Sequence, residues 1–412
     1  MVSYRAGPSL ERCVASVLDQ AEEVLVVDNG SPGSEASRVA ERLGARAVRV
    51  RKNGGFARGV NAGVGASRGD VIAMLNDDAV ASEGWLRAAA EQLEDATVAA
   101  VAPKLLLAGR YLEIRLDDDP WQAPGDDRQL GRKISVASLG GSDVLSGFVG
   151  PGIHRLEGAP AERQEREQDP VLSQRGRAGA ERPHGRADAS RRWRWTSGRA
   201  PFYVPVPPGE DDLELHLDGE LVRPTRIVDL VNSVGSYLRR DGYVGDIGAD
   251  MADDERFDSA EERFSLSGAA FVTRREMMER VGPFEGRYFA YYEDVDWCWR
   301  ARLMGLRLIY DPAVRVRHER GATSGGMASS RVRFLAERNR LVTLFRNAPL
   351  EVAIGEAWRK RRGRGDDGVA EVIGRTAPRA LGERAVMRRR WVLSSAEVFE
   401  RWAGVEVPSS RS

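Results

Sequence analysis

Val71-Ile72-Ala73-Met74-Leu75-Asn76-Asp77-Asp78 opens as a continuous apolar run and ends abruptly in acid. Five apolar residues with β-branched members among them read as a strand buried on both faces. Carboxylates at the carboxyl end of such a strand stand where open α/β sheets bind ligands, in the crevice beyond the strand tips. Asp78 and its neighbours are hard oxygen ligands, suited to Mg²⁺ or Mn²⁺ that also grips a phosphate. The bland alternative is that Asp77 and Asp78 turn the chain and cap a helix starting near Ser82. The densest chemistry lies far downstream, in Tyr288-Phe289-Ala290-Tyr291-Tyr292-Glu293-Asp294-Val295-Asp296-Trp297-Cys298-Trp299-Arg300. Acids that open a helix are favoured by its dipole and free N–H groups. Trp297, Ala301 and Met304 fall on one packed face, and Asp296 reads as structural.

The elements that must position these acids alternate. Strand-like Met1-Val2-Ser3 is followed by a helix from about Pro8 to Gln20, with Pro8 suited to its first turn. Val24 to Asp28 reads as a second buried strand closed by Asn29-Gly30-Ser31-Pro32-Gly33. A helix from about Ser34 to Leu43, a strand from Ala45 to Val50, the loop Asn53-Gly54-Gly55-Phe56 and a helix to about Ser67 complete the pattern. Repeated β–α units imply an α/β fold with a parallel sheet and right-handed crossovers. From about Tyr111 to Arg263 the alternation breaks down into a β-rich insertion. Its stretch near 157–192, rich in Arg, Glu, Gln, Ala, Gly and Pro, reads as a disordered or loosely held loop. The α/β pattern returns near Phe264 with an apolar strand over Leu266–Val272 and a helix from Arg274 to Val281. A strand from Arg307 to Tyr310 and another from Ala313 to Val316 then lead to His318. The tail from about Arg331 is helical, with Glu337 to Phe345 amphipathic. It carries two basic runs beside tryptophans, Trp358-Arg359-Lys360-Arg361-Arg362 and Arg388-Arg389-Arg390-Trp391. A solvated helix face and an anionic membrane surface are the two readings of those runs.

Composition removes several classes. The 412 residues allow two or three domains, and 62 basic against 62 acidic side chains create no whole-protein field for nucleic acid. Cys13 and Cys298 lie far apart and suggest a reducing compartment, and no Cys/His cluster has zinc spacing. No apolar run reaches the roughly 20 residues needed to span a bilayer, and there is no signal peptide. A cytoplasmic location is therefore expected. The glycines Gly54, Gly55 and Gly59 follow the third strand rather than the first, and there is no Walker A lysine, which disfavours a dehydrogenase and a P-loop enzyme.

Val26-Val27-Asp28-Asn29-Gly30-Ser31, Asn53-Gly54-Gly55-Phe56-Ala57-Arg58-Gly59-Val60-Asn61, Leu75-Asn76-Asp77-Asp78 and Tyr292-Glu293-Asp294-Val295-Asp296, with His318 downstream, together resemble a family 2 glycosyltransferase of the rhamnosyltransferase-like bacterial branch. The resemblance covers roughly residues 1–105 and 264–345. It implies a GT-A-type, mostly parallel nucleotide-binding sheet with helices on both faces. The expected layout is a nucleotide-sugar-binding half over 1–110, the β-rich insertion over 111–263, an acceptor and catalytic half over 264–348, and a basic helical tail over 349–412. The implied reaction moves a sugar, with inversion, from a nucleotide-diphosphate donor to a hydroxyl of a glycan or lipid-linked acceptor in cell-surface polysaccharide or glycolipid synthesis.

By matching position, Asp78 holds the metal, Mg²⁺ or Mn²⁺, and His318 completes the metal site or contacts the diphosphate. Asn76 stands at the first place of the family's D-x-D motif, where an aspartate is usual, with Asp77 beside it. Asp28 matches the residue that reads the base, and Asn53, Gly55, Phe56, Arg58 and Asn61 lie in the loop lining ribose and diphosphate. Asp294 matches the catalytic base, with Glu293 assigned to acceptor hydrogen bonding. The residue types suit this chemistry. A divalent cation stabilises charge on the leaving diphosphate, a positioned carboxylate takes the acceptor's proton, and the glycines let backbone approach phosphates. The family's first strand is longer and central, whereas only Met1-Val2-Ser3 precede Tyr4. A start upstream, or an impaired copy, is the corresponding expectation. The rival readings are a catalytically inactive carbohydrate- or nucleotide-sugar-binding protein of the same fold, a glycosidase and a nucleotidyltransferase.

Overall fold

The computed structural model describes residues 1–5, 7–122, 128–154, 192–211, 213–319, 330–362 and 368–405. The chain divides into two compact units. The first is built from 1–108, 231–249 and 253–409, and the second from 109–230, 250–252 and 410–412. The expected loose loop near 157–192 falls almost wholly outside the described residues.

The first unit begins with β1 (Val2–Ser3), α1 (Pro8–Ala15), β2 (Leu25–Asp28), α2 (Glu35–Arg42), β3 (Arg46–Arg49) and α3 (Phe56–Ala66). β4 (Val71–Leu75), β5 (Ala79–Ala81), α4 (Trp85–Gln92) and β6 (Val98–Leu107) follow. Pro8 occupies the first turn of α1, where its missing N–H costs nothing. β1, β2 and β3 form a parallel three-stranded sheet in that order.

The second unit carries β7 (Tyr111–Ile114), β8 (Lys133–Ile134), β9 (Ala137–Leu139), β10 (Ser142–Asp143), β11 (Arg194–Trp195), β12 (Phe202–Pro205), β13 (Leu215–Leu217), β14 (Glu220–Val222) and β15 (Arg226–Val228). All its pairings between these strands are antiparallel, and Leu112, Ile134, Leu139, Phe148, Phe202 and Leu215 fill its core. The second unit is β-rich and covers 109–230, against the expected bounds of 111–263. Residues 231–249, and those from 253, already belong to the first unit.

There the chain continues with β16 (Val231–Ser233), β17 (Ser236–Leu238), β18 (Val244–Asp246), β19 (Glu261–Glu262), β20 (Ala270–Arg274), α5 (Arg275–Val281), α6 (Glu293–Leu303) and β21 (Arg307–His318). The second sheet of this unit has seven strands, ordered β19-β21-β6-β20-β4, with β16 joined to β6 and β5 to β21. It is mixed. β21 runs parallel to β6, while β20 is antiparallel to both β4 and β6. β21 is one strand with a bulge between Asp311 and Arg315, where two short strands were expected. Trp297 and Ala301 sit in one core with Ile72, Met74, Phe271 and Leu308, and Met304 packs against it.

β4 corrects the expectation of a strand buried on both faces. Its burial alternates, and Val71 is 45% exposed. β4 pairs with β20 alone, so its opposite edge has no partner strand among the described residues. A cavity of about 840 Å³ lies along that edge, lined by Val71, Ala73, Val24 and Leu25, with Val60 and Trp85 from the flanking helices. Met1 lies at this cavity, its amino group donating to the Leu25 carbonyl at 2.8 Å, and burial pushes that group below its ordinary pKa.

The C-terminal region is helical: α7 (Ser330–Asn347), α8 (Leu350–Arg362), α9 (Val369–Met387) and α10 (Ser395–Trp402). The second half of α7, from Asn339 to Asn347, is buried all round rather than amphipathic. It is wrapped by the other helices around Trp299, Leu341, Leu344 and Phe399. A side-chain capping box at Ser394 and Glu397 fixes the start of α10. No described helix is long and apolar enough to cross a membrane.

Candidate functional site

β4 ends at Leu75, and the register of its partner decides what stands opposite the acids. Leu75 faces Ala270, and the Asn76 N–H donates to the Ala269 carbonyl at 2.8 Å. One residue further, the Gly268 N–H donates to Asp294 Oδ2 at 2.7 Å. A three-residue bridge of backbone therefore ties the Asn76-Asp77-Asp78 turn to the start of α6. The acids of the two distant motifs occupy the same end of the same sheet.

On the β4 side, His318 Nε2 stands 3.1 Å from Asp78 Oδ1 and 3.3 Å from Asn76 Nδ2. Its other nitrogen, Nδ1, is 2.7 Å from Asn232 Oδ1 on β16. An amide oxygen can only accept, so the Nδ1–H donates to Asn232 and fixes the ring, leaving Nε2 facing the Asp78 carboxylate. Two electron-rich groups aimed at one point suit a shared cation, with Asn232 fixing the ring from behind. Asn76 Oδ1 is buried with no partner among the described residues, which adds a third oxygen-rich edge. Among the described residues no three His, Cys, Asp or Glu side chains converge to cage a metal by themselves. An ion held here would take its remaining ligands from elsewhere. Asp77 is half-buried, and burial first, with Asp78 beside it, pushes its carboxyl up to about 6.

On the α6 side, Glu293 and Asp294 open the helix behind a segment of unusual backbone. Phe289, Tyr291 and Tyr292 all have positive φ, at 67°, 73° and 69°, a conformation costly for bulky side chains. α7 holds it. Asn339 Nδ2 lies 3.0, 2.9 and 2.7 Å from the carbonyls of Tyr288, Ala290 and Tyr291, and Arg338 donates to those of Arg287 and Tyr288. Asp294 accepts from the Gly268 and Val295 N–H groups. Burial nonetheless leaves its carboxyl above the ordinary aspartate range. Glu293 is displaced further, well above its usual value, by burial first and then by the Asp294 charge, and its Oε2 is buried without a partner. Asp296 is different. Burial works to raise its pKa, but Arg346 and Arg300 outweigh that and hold it low, with Asn347 donating as well.

The loop expected to line the donor is mostly engaged with protein. Asn53 Oδ1 accepts from the Gly55 N–H and from Asn29 Nδ2, and Asn61 is bonded in both directions to the Phe284 backbone. Phe56 packs against the main core. Gly55, at φ +86°, carries no Cβ because one would stand 2.3 Å from the Phe289 carbonyl oxygen, and a Cβ at Gly59 would meet Val2 at 2.4 Å. The sequence reading gave these glycines to phosphate approach. In the structure they admit protein, bringing the Asn53–Asn61 loop against the strained segment before α6. Asp28 is fully buried, both oxygens engaged by Ser31 and Ser37. Burial tends to raise its carboxyl, and these hydrogen bonds outweigh it, leaving the group below its ordinary pKa. Arg58 remains open to solvent, its Nε donating to the Gly286 carbonyl. With Lys52, Arg287, Arg331 and Arg338 it lines a cavity of about 510 Å³ that, among the described residues, no carboxylate lines.

Sequence reasoning passed over Asn232, Arg338, Asn339 and the basic cavity. A signal existed for Asn339 and Asn347: two amides that bracket the mostly apolar run Leu341–Phe345 of one helix, positions that are stable in a core only when the amide is used.

The sheet order, the acid-bearing strand ends and the helix layers define a GT-A-type glycosyltransferase fold. GalNAc-T7, solved with UDP, GalNAc and Mn²⁺, shares it at a TM-score of 0.51 and 12% identity, over 97% of this chain and 55% of that one. The mannosyltransferase PcManGT from Pyrobaculum calidifontis, solved with GDP-Man and Mn²⁺, gives 0.40 at 11% identity, over 97% and 85%. Residues 1–120 match the model of glycosyl transferase family 2. A curated relative, the N-acetylglucosaminyl-diphospho-decaprenol L-rhamnosyltransferase of Mycobacterium tuberculosis, is 38% identical over 60 residues. That match spans 15% of this chain and only a fifth, 20%, of the relative's length.

Proposed function

We propose that the chain transfers a sugar, with inversion, from a nucleotide-diphosphate donor to an acceptor hydroxyl of a glycan or lipid-linked intermediate in cell-surface polysaccharide synthesis. The observation that carries this reading is the backbone bridge Asn76–Ala269–Gly268, which sets Asp78 with His318 and Asp294 with Glu293 at one sheet end. Asp78 and His318 would hold a divalent cation, Mg²⁺ or Mn²⁺, which supplies Lewis-acid stabilisation of a leaving diphosphate when bound. The rest is the chain's own work. The Asp294 carboxylate takes the acceptor O–H proton as that oxygen forms its bond to the anomeric carbon. The bond from that carbon to the diphosphate oxygen breaks, and its electron pair leaves with the nucleoside diphosphate. Burial raises the basicity of Asp294, and its two backbone N–H partners fix its direction. Glu293, with one buried oxygen unpartnered, is placed to hold an acceptor hydroxyl. Arg58 and its basic neighbours suit phosphate oxygens. The Mn²⁺ and UDP bound by GalNAc-T7, and the diphospho-decaprenol acceptor named for the mycobacterial relative, support the substrate classes. A cytoplasmic location fits a nucleotide-sugar donor.

A thermal-shift panel of UDP-, dTDP- and GDP-sugars, with and without Mn²⁺, tests this. One donor is expected to raise Tm in a Mn²⁺-dependent manner. No shift with any donor would contradict the proposal, and a shift without transfer to any acceptor would favour an inactive binding protein.

A further inference from the structure

The two basic runs of the tail are alike in sequence and unlike in structure. Trp391 is half-buried against the C-terminal core, with the Arg384 guanidinium 5.1 Å from its ring centre. Trp358 is 53% exposed, and so are the residues four and eight positions before it, Ile354 at 59% and Leu350 at 39%. On a helix this spacing forms one stripe, about 12 Å long at 1.5 Å per residue. Beneath it Ala353 and Glu356 are buried, so α8 already uses its opposite face for the core. Among the described residues one acid, Glu351, borders the stripe. At its far end stand four consecutive cations, Arg359 to Arg362, of which Arg359 pairs with Glu356 and Arg362 lies 4.7 Å from the Trp358 ring centre. An exposed Leu–Ile–Trp row on a folded helix is unfavourable in water unless something covers it.

We propose that this face of α8 is a membrane-contact surface. Leu350, Ile354 and Trp358 enter the headgroup layer of an anionic bilayer, and the Arg359–Arg362 turn lies against the acidic headgroups. Charge complementarity selects this occupant: an apolar row of partial-turn depth, a tryptophan at the interface level and a run of cations are together what an interfacial helix requires. The inference needs neither donor nor acceptor, so it stands or falls apart from the transfer reaction.

The test is co-sedimentation of the full chain with phosphatidylcholine vesicles, with and without phosphatidylglycerol. Binding is expected only with phosphatidylglycerol, and it should weaken as salt is added. Ile354→Glu should lower the partition coefficient on the order of tenfold or more without changing Tm. Trp358→Ser serves as a second variant, and the double change Arg361→Glu, Arg362→Glu should abolish the preference for anionic lipid. Failure of the unaltered chain to sediment, or sedimentation of Ile354→Glu at the unaltered level, would overturn the proposal. So would a dimer on gel filtration that Ile354→Glu dissolves, which would make the stripe a protein interface.

Discussion

Glu293 and Asp294 differ from Asp296, two residues further along the same helix, in the company each keeps. Asp296 is enclosed by Arg300, Arg346 and Asn347, and its charge is fully answered. Glu293 is buried and Asp294 half-buried, yet among the described residues no cation pairs with either carboxylate. The first arrangement stabilises a fold. The second keeps raised proton affinities, which the proposed reaction would use. One acidic run of four residues thus contains a structural anchor and, on the proposed function, a reactive pair, and the partners brought by α7 separate the two.

The contrast can be broken most severely at Asp294. Asp294→Asn should lower transfer by about 10²–10⁴-fold in a single-turnover assay. A variant within tenfold of the unaltered rate would move the base elsewhere. The unaltered enzyme's rate should rise with pH through a value above the ordinary aspartate range, because the base must be ionised and burial opposes ionisation. Asp296→Ala, by contrast, leaves the buried Arg300 guanidinium without its carboxylate and takes one of three carboxylate partners from Arg346. It should cost about 3–5 kcal/mol in urea unfolding, and an unchanged midpoint would contradict the anchor role. Asn339→Ala removes the donor shared by three carbonyls of the strained segment. Its expected cost is about 1–3 kcal/mol, with kcat falling more than donor affinity. Glu293→Gln should act in the opposite direction on stability, raising it by about 1 kcal/mol at neutral pH. The sign follows from the raised pKa. The folded state binds that proton more tightly than the unfolded one, so the unaltered protein loses stability as pH rises from the ordinary glutamate range toward the folded value. The advantage of Gln should therefore vanish in acid, and an advantage that persisted there would not come from the charge.

The motifs and their order were legible because each is a local pattern: an apolar run ending in acid, a turn after a strand, acids opening a helix. β2, β3 and α3 formed close to their expected bounds for that reason. What could not be read is long-range register. Nothing near Asp78 in sequence announces Asn232 as the partner that sets the His318 tautomer, nor Ala269 as the bridge to Asp294. Gly55 was legible as a glycine required by close approach, but not what approaches: Phe289 lies 234 positions on, and a phosphate would have demanded the same residue. Val71 was misjudged because burial of a strand depends on what pairs with its edges, and β4 has a partner on one side only. The open edge offers a physical check. An apolar strand-forming segment engineered ahead of Met1 should fill the adjoining cavity and raise Tm by several degrees.

The central claim is that acids from two distant stretches share one site and divide its work. The most direct test compares Asp78→Asn with Asp294→Asn in a thermal-shift titration with donor and Mn²⁺. Asp294→Asn should keep the full Mn²⁺-dependent shift while transfer is lost, and Asp78→Asn should lose the Mn²⁺-dependent part of the shift. Retention of that shift by Asp78→Asn, or its loss in Asp294→Asn, would contradict the account.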